Sequence, residues 1–311
     1  MTKIWDCVII GGGAAGLSAA LVLGRARRDT LVIDAGEQSN LPAHGIGGLL
    51  GHDGRSPAEL YEIGRREIEK YPALSFRRGR VVAAGGSVGE FELELEDGTV
   101  ERSKRILLTT GMEYRIDDLP GMAELWGGSV FHCPFCHGWE VEGRPLAVRG
   151  NGERGVHGAL LLSGWSEDVI LLTDGPAELD DEQREKLWKA GVAVDERSIA
   201  ALESERGCLT AISFGDGSRL ERSGLLVAPA LHQRNDLAEQ LGVEPAEPNP
   251  LTADALKTDG FHRTSVPGVS AAGDAAGQMQ QVAVAIATGS VAAAVMVQSL
   301  LSDEFGLPVP A

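Results

Sequence analysis

The chain has 311 residues, 43% of them hydrophobic, with 28 basic against 45 acidic side chains and a formal net charge of −17. A chain of this length buries a large core and is expected to form two domains. The acidic balance argues against a nucleic-acid surface, since phosphate neutralisation needs clustered Lys and Arg. No export signal precedes the first strand pattern, so the expected setting is the cytoplasm, with reduced thiols.

Residues 5–10 have a buried-strand pattern and run into Gly11-x-Gly13-x-x-Gly16 and a helical stretch, 17–24. Glycines so spaced serve a tight turn, the close approach of a pyrophosphate, and packing of helix on strand. A second strand, 30–33, ends in Asp34, 18 residues beyond Gly16, where the fingerprint places a carboxylate for ribose hydroxyls. Strand, glycines, helix and acid together predict a dinucleotide site. A polar, Gly-rich loop follows over 36–56. Its Asn40, His44, His52 and Asp53 either line the cofactor or are solvated loop residues. After a helix from Pro57 to about Tyr71, strands are expected at 80–84, 91–96 and 100–108, joined by Gly85-Gly86 and Asp97-Gly98 turns. The last stops at Thr109-Thr110-Gly111, small residues that let a backbone come close to a ligand.

The middle of the chain carries the chemistry. His132-Cys133-Pro134-Phe135-Cys136-His137-Gly138-Trp139-Glu140 holds two of the four cysteines, spaced for a disulfide. A helix beginning at Cys133 would aim its free N–H groups and dipole at that sulfur and favour thiolate, and Pro134 suits a first helical turn. The alternative, half of a zinc site completed by His132 or His137, lacks a second ligand pair at matching spacing, so no metal is expected. Cys7 and Cys208 read as packing cysteines. Beyond the dithiol, a strand at 145–148 leads into Gly150-x-Gly152-x-x-Gly155, a helix to about Gly164, and a strand over 169–173 ending in Asp174. The strand, glycine, helix, strand, acid order thus occurs twice, and two dinucleotide-type domains follow from the repeat. A helix is expected at 180–190, a strand at 192–194, and a hairpin of 209–214 with 219–227. Near the end, a small-residue strand closes on Gly273-Asp274, where the acid is either a helix N-cap or a cofactor ligand. The apolar run 282–301 is long enough to span a bilayer, but Thr288, Gly289, Ser290, Gln298 and Ser299 interrupt it, so a buried helix is expected and no membrane partner.

These motifs, in this order, resemble the low-molecular-weight thioredoxin reductases over nearly the whole chain. The resemblance implies an α/β fold of two Rossmann-like domains, the smaller (116–244) inserted into a discontinuous FAD domain (1–115 with 245–311). It also implies a homodimer. FAD would be held by Gly11, Gly13, Ala14, Ala15, Gly16, Asp34, Ala35, Gln38, Asn40, His44, Thr110, Gly111, Gly273, Asp274, Gln281 and Val282. Of the two thiols, Cys136 would serve the flavin and Cys133 the substrate.

Two departures bear on function. Where the reductases clamp the NADPH 2′-phosphate with His and Arg, this chain reads Thr173-Asp174-Gly175-Pro176, followed by Glu178, Asp180, Asp181 and Glu182. A phosphate dianion there meets like charge. Asp174 is nonetheless spaced to take the ribose of NADH. At the dithiol, the run Cys-Pro-Phe-Cys-His-Gly-Trp-Glu resembles the dithiol oxidases of the gliotoxin and holomycin pathways. These share the reductase fold, close a disulfide in a small dithiol and pass electrons through FAD to O₂, giving H₂O₂. The expectation is a dithiol oxidase acting on a small-molecule dithiol, with His137 or His132 moving the thiol protons. The alternatives are an NADH-fed disulfide reductase and an FAD-bound redox sensor.

Overall fold

The computed structural model describes residues 3–249, 251–277 and 279–308. The chain forms two compact units. The first holds the chain up to Leu41, then Pro57–Glu113, and everything described from Leu231 on. The second holds Pro42–Ser56 and Tyr114–Ala230. The outward crossing lies within two residues of the expected one. The return comes at 230–231 rather than 244–245, and the loop at 42–56, expected with the FAD domain, groups with the second unit.

In the first unit, five parallel strands run in the order Val269–Ala271, Ile106–Leu108, Cys7–Ile10, Thr30–Asp34, Leu74–Arg78. The central strands are buried on both faces, as their unbroken apolar sequences require. Helix Ala14–Arg25 covers one face together with the 24-residue helix Val282–Phe305. The two helices approach so closely that a Cβ on Gly289 would fall 2.1 Å from the Ala15 carbonyl oxygen. By length and composition Val282–Phe305 could cross a membrane, yet Ala285, Gly289, Ala292, Ala293, Val295, Met296 and Leu300 are buried within the unit. A four-stranded sheet made of Ile4–Trp5, Val100–Ser103, Glu90–Leu95 and Val81–Ser87 packs on the other face.

The second unit repeats the plan. Its parallel sheet runs Val130–Phe131, Gly224–Val227, Leu146–Arg149, Val169–Leu172, Ala193–Asp195, and an antiparallel sheet of Ile199–Glu205, Cys208–Phe214 and Arg219–Glu221 accompanies it. Two expected strands are each split in two. Residues 100–108 divide at Lys104-Arg105, and 219–227 at Arg222-Ser223, because each piece pairs in a different sheet.

Candidate active site

The first unit presents an open nucleotide cradle. Gly11 has φ +110, and a Cβ there would stand 2.2 Å from the Thr109 carbonyl oxygen; one on Gly16 would stand 1.9 Å from the Gly11 oxygen. Both glycines are therefore required by backbone packing. The hydroxyl of Thr109, at the small-residue end of its strand, tightens the turn by donating to the Gly11 carbonyl at 2.8 Å. No side chain caps helix Ala14–Arg25 at Gly13 and no acid stands in its first turn, so its leading amides and dipole are free for an anion. Asp34 is buried and holds the loops around this point. Its Oδ1 accepts from Gly12 N at 3.0 Å, Gly36 N at 3.1 Å and Gln38 Nε2 at 2.9 Å, while Oδ2 pairs with Arg78 at 3.0 Å. Ala35 continues that loop, and Asn40 accepts from the buried Tyr61 hydroxyl at 2.8 Å, which leaves its amide hydrogens available. Burial pushes the Tyr61 phenol up to about 12, so it stays a donor. Thr110 and Gly111 follow Thr109; Gly111 has φ +67, and a Cβ there would meet nothing within 4 Å. Gly273 comes against the same helix, where its Cβ would lie 2.9 Å from that of Ala15. Burial pushes the neighbouring Asp274 carboxyl up to about 6, with the charge of Arg234 opposing. Gln281 and Val282 begin the long helix, half-buried. The residues present fit a dinucleotide.

The corresponding cradle in the second unit is filled by its own side chains. Asn151 caps helix Gly152–Leu162, its Oδ1 accepting from Gly152 N at 2.9 Å and Glu178 N at 2.8 Å while Nδ2 donates to the Pro176 carbonyl at 2.9 Å. Glu153 adds an acid to that first turn. Asp174, at φ +53, is engaged on both oxygens: Arg149 donates to Oδ2 at 3.0 and 2.8 Å, and Ile199 N donates to Oδ1 at 2.7 Å. Arg149 is held in turn by Asp117. Of the acidic run, Asp180 is the N-cap of helix Asp181–Lys189 in a reciprocal capping box with Gln183. These acids do helix-start work, which spacing alone could not reveal.

The dithiol also lies in the second unit. Cys133 is the N-cap of the short helix Pro134–His137, with Pro134 at its start, as the sequence predicts. The two Sγ atoms are 2.7 Å apart. Cys136 and the amides of the following turn hold the Cys133 thiol below its ordinary value, against a desolvation penalty. His137 Nε2 lies 3.2 Å from the Gly127 carbonyl oxygen. A carbonyl only accepts, so the proton belongs on Nε2, and the buried Nδ1, which has no hydrogen-bond partner, carries the free lone pair. Burial lowers the pKa of this ring, with Glu140 opposing. His132 is different. It packs on Tyr114 and Trp126, with centroids 4.5 and 5.8 Å away, and burial drives its pKa down to about 4. It is a neutral packing ring near pH 7.

Around the thiols, Gly47 packs so tightly that a Cβ would stand 2.8 Å from the Cys136 carbonyl oxygen, and His44 lies beside Gly128. His44, expected at the flavin, is thus grouped with the dithiol, as are His52 and Asp53. Phe135 and Trp139 are exposed, and Phe135 sets its edge against Trp165 at 5.4 Å. Cys7 is buried against Met296 as expected, whereas Cys208 is exposed on its strand rather than packed. Among the described residues, no group of three or more His, Cys, Asp or Glu side chains could hold a metal ion.

Comparison with known proteins places this geometry in a lineage. The pyridine nucleotide-disulphide oxidoreductase family matches residues 5–289. The chain is 33% identical to thioredoxin reductase tcpT of Claviceps purpurea, covering 97% of this chain and 96% of that one, and 32% identical to thioredoxin reductase sirT of Leptosphaeria maculans over the same shares. Among solved structures it is similar to an oxidoreductase from Agrobacterium tumefaciens (37% identity, TM-score 0.90, 96% and 99% of the two chains) and to HlmI (36%, 0.90, 98% and 95%). The protein therefore belongs to the pyridine nucleotide-disulphide oxidoreductase family and is a flavin-dependent, thioredoxin reductase-like enzyme.

Proposed function

We propose that the protein is an FAD-dependent dithiol oxidase, closing a disulfide in a small-molecule dithiol and passing the electrons to O₂ to give H₂O₂. The contrast between the two cradles carries this reading. Both acids are engaged, Asp34 by Arg78 and Asp174 by Arg149, but the first helix start is uncapped, whereas Asn151 takes the Gly152 amide of the second and ties the Glu178 loop to it. A nicotinamide cofactor would have to displace that internal cap before it reached the helix start. That argues for electrons entering at the dithiol, the reverse of the direction named for the reductase relatives. The dithiol-oxidase resemblance of the Cys133–Glu140 run points the same way. Bound FAD supplies the two-electron acceptor that empties the dithiol and is itself reoxidised by O₂.

The chain's own residues do the thiol chemistry. A substrate thiolate attacks Cys133 Sγ of the oxidised pair, the Cys133–Cys136 bond breaks, and Cys136 leaves as thiolate. The substrate's second thiol gives its proton to His137, once the ring exposes its buried Nδ1, and attacks the substrate sulfur of the mixed disulfide, so Cys133 leaves and the substrate disulfide closes. The backbone amides of Phe135 and Cys136, which face the Cys133 sulfur, remain to stabilise its leaving thiolate in this step. The homodimer implied by the resemblance belongs to the same proposal and is checked by mass in solution. In air, the protein should consume one O₂ and release one H₂O₂ per small dithiol oxidised, and Cys133→Ser or Cys136→Ser should abolish both. Dithiol oxidation without O₂ uptake would refute oxygen as acceptor.

A further inference from the structure

Strand Ala230–Gln233 ends at the cofactor cradle of the first unit. Gln233 donates from Nε2 to the Ala275 carbonyl at 2.9 Å, and its backbone N–H reaches Asp254 Oδ1 at 2.9 Å. Its neighbour is thereby held close to the Gly273–Ala276 turn. That neighbour, Arg234, donates from Nη2 to Ser39 Oγ at 2.6 Å, and Ser39 Oγ donates on to the Met112 carbonyl. Ser39 lies between Gln38 and Asn40, and the Gln38 side chain comes within 3.5 Å of a Cβ built on Gly13, at the uncapped helix start. The guanidinium therefore stands between the Gln38–Asn40 segment and the Asp274 turn, where its charge is felt by Glu37 and Asp274.

Unlike the other arginines around this cradle, it has no ion-pair partner among the described residues. Arg78 pairs with Asp34 and Arg80 with Glu37, whereas among the described residues Arg234 has only the neutral Ser39 hydroxyl as a hydrogen-bond partner. A half-buried cation with no carboxylate at ion-pair distance, although Glu37 and Asp274 feel its charge, is open to an anion from outside the chain. The planar guanidinium fork, with donors still free, suits phosphate oxygens.

We infer that Arg234 binds the pyrophosphate of FAD, adding a charged contact to the one made by the helix amides. The inference rests on reading the first cradle as an FAD site.

The test titrates the deflavinated full-length protein with FAD and, separately, with riboflavin, which carries no phosphate, following flavin fluorescence. Arg234→Gln should raise the FAD dissociation constant at least tenfold, about 1.4 kcal/mol, leave riboflavin binding within twofold, and flatten the salt dependence of FAD binding. Arg234→Lys should recover part of the loss, because the charge remains. Ser39→Ala, which keeps the guanidinium and removes its tether, reads the same contact if the Gln variant folds poorly; FAD affinity should fall while riboflavin affinity holds. An FAD constant within twofold of wild type in folded variants, or equal losses for FAD and riboflavin, would overturn the inference. A wild-type chain that binds no FAD would instead remove the FAD reading itself, and this inference with it.

Discussion

Two histidines flank the dithiol, and their surroundings divide the work the sequence left shared. His137 meets the Gly127 carbonyl through Nε2, and its buried Nδ1 has no hydrogen-bond partner; His132 packs on Tyr114 and Trp126, and burial lowers its pKa to about 4. His137→Gln preserves a donor toward Gly127 and removes the base. It should lower the dithiol turnover rate by about 10²-fold or more with an unchanged melting temperature. The base works neutral and burial lowers its pKa, so activity should fall only as pH drops through a value below the ordinary 6.5. An acid limb above 6.5, or one that survives in His137→Gln, would assign the proton transfer elsewhere. For His132 the consequence is stability. Between pH 6.5 and about 4 the unfolded chain takes up a proton that the folded chain refuses, so stability present above 6.5 is progressively lost as pH falls. The loss reaches at most about 3 kcal/mol. His132→Phe keeps a ring and should flatten this part of the stability–pH curve in denaturant titrations; parallel curves for the two proteins would contradict the buried-ring account.

At the scale of elements, the telling comparison is between two helices that begin with the same glycine spacing and end up in opposite roles. Helix Ala14–Arg25 is left uncapped, while Gly152–Leu162 is capped by Asn151 and carries Glu153. Asp174→Ala breaks the link to Arg149 and Ile199. It should lower the melting temperature yet leave dithiol-dependent H₂O₂ production within about twofold, as for a change remote from the chemistry. A several-fold rise in the Michaelis constant for NADH in an NADH-driven assay would instead show that Asp174 holds a ribose. The sequence made both glycine loops, both acids and the dithiol helix legible, because these depend on local backbone demands. It could not show that Asn151, an unconstrained position within the motif, turns back to cap the loop. The merged strands have a similar cause. Residues 100–108 and 219–227 read as continuous extended patterns, and only their partners in different sheets break them, with the buried Arg105 bound to Ser299 and Asp303 at the first break. Strand Leu74–Arg78 was missed because it is short and largely half-buried, with no run of apolar residues to mark it. Nothing in a glycine-rich loop announces that Gly47 packs on Cys136 or that His44 belongs with the dithiol.

At the scale of the whole molecule, one plan is used twice: five parallel strands with a glycine loop after the central strand, and a second sheet beside them, mixed in the first unit and antiparallel in the second. The repeat was visible in the sequence, and so was the excess of acid that disfavours a second phosphate site. The two copies differ in that one leaves its helix start uncapped while the other caps it and carries the dithiol. The central claim is that electrons enter from a dithiol and not from a nicotinamide. It is tested most directly by mixing the yellow, flavin-loaded protein anaerobically with NADH, NADPH or a small dithiol and following the flavin absorbance. The account predicts that the dithiol alone bleaches the flavin and that admitted air restores the colour with formation of H₂O₂. Faster bleaching by NADH or NADPH than by any small dithiol would contradict it.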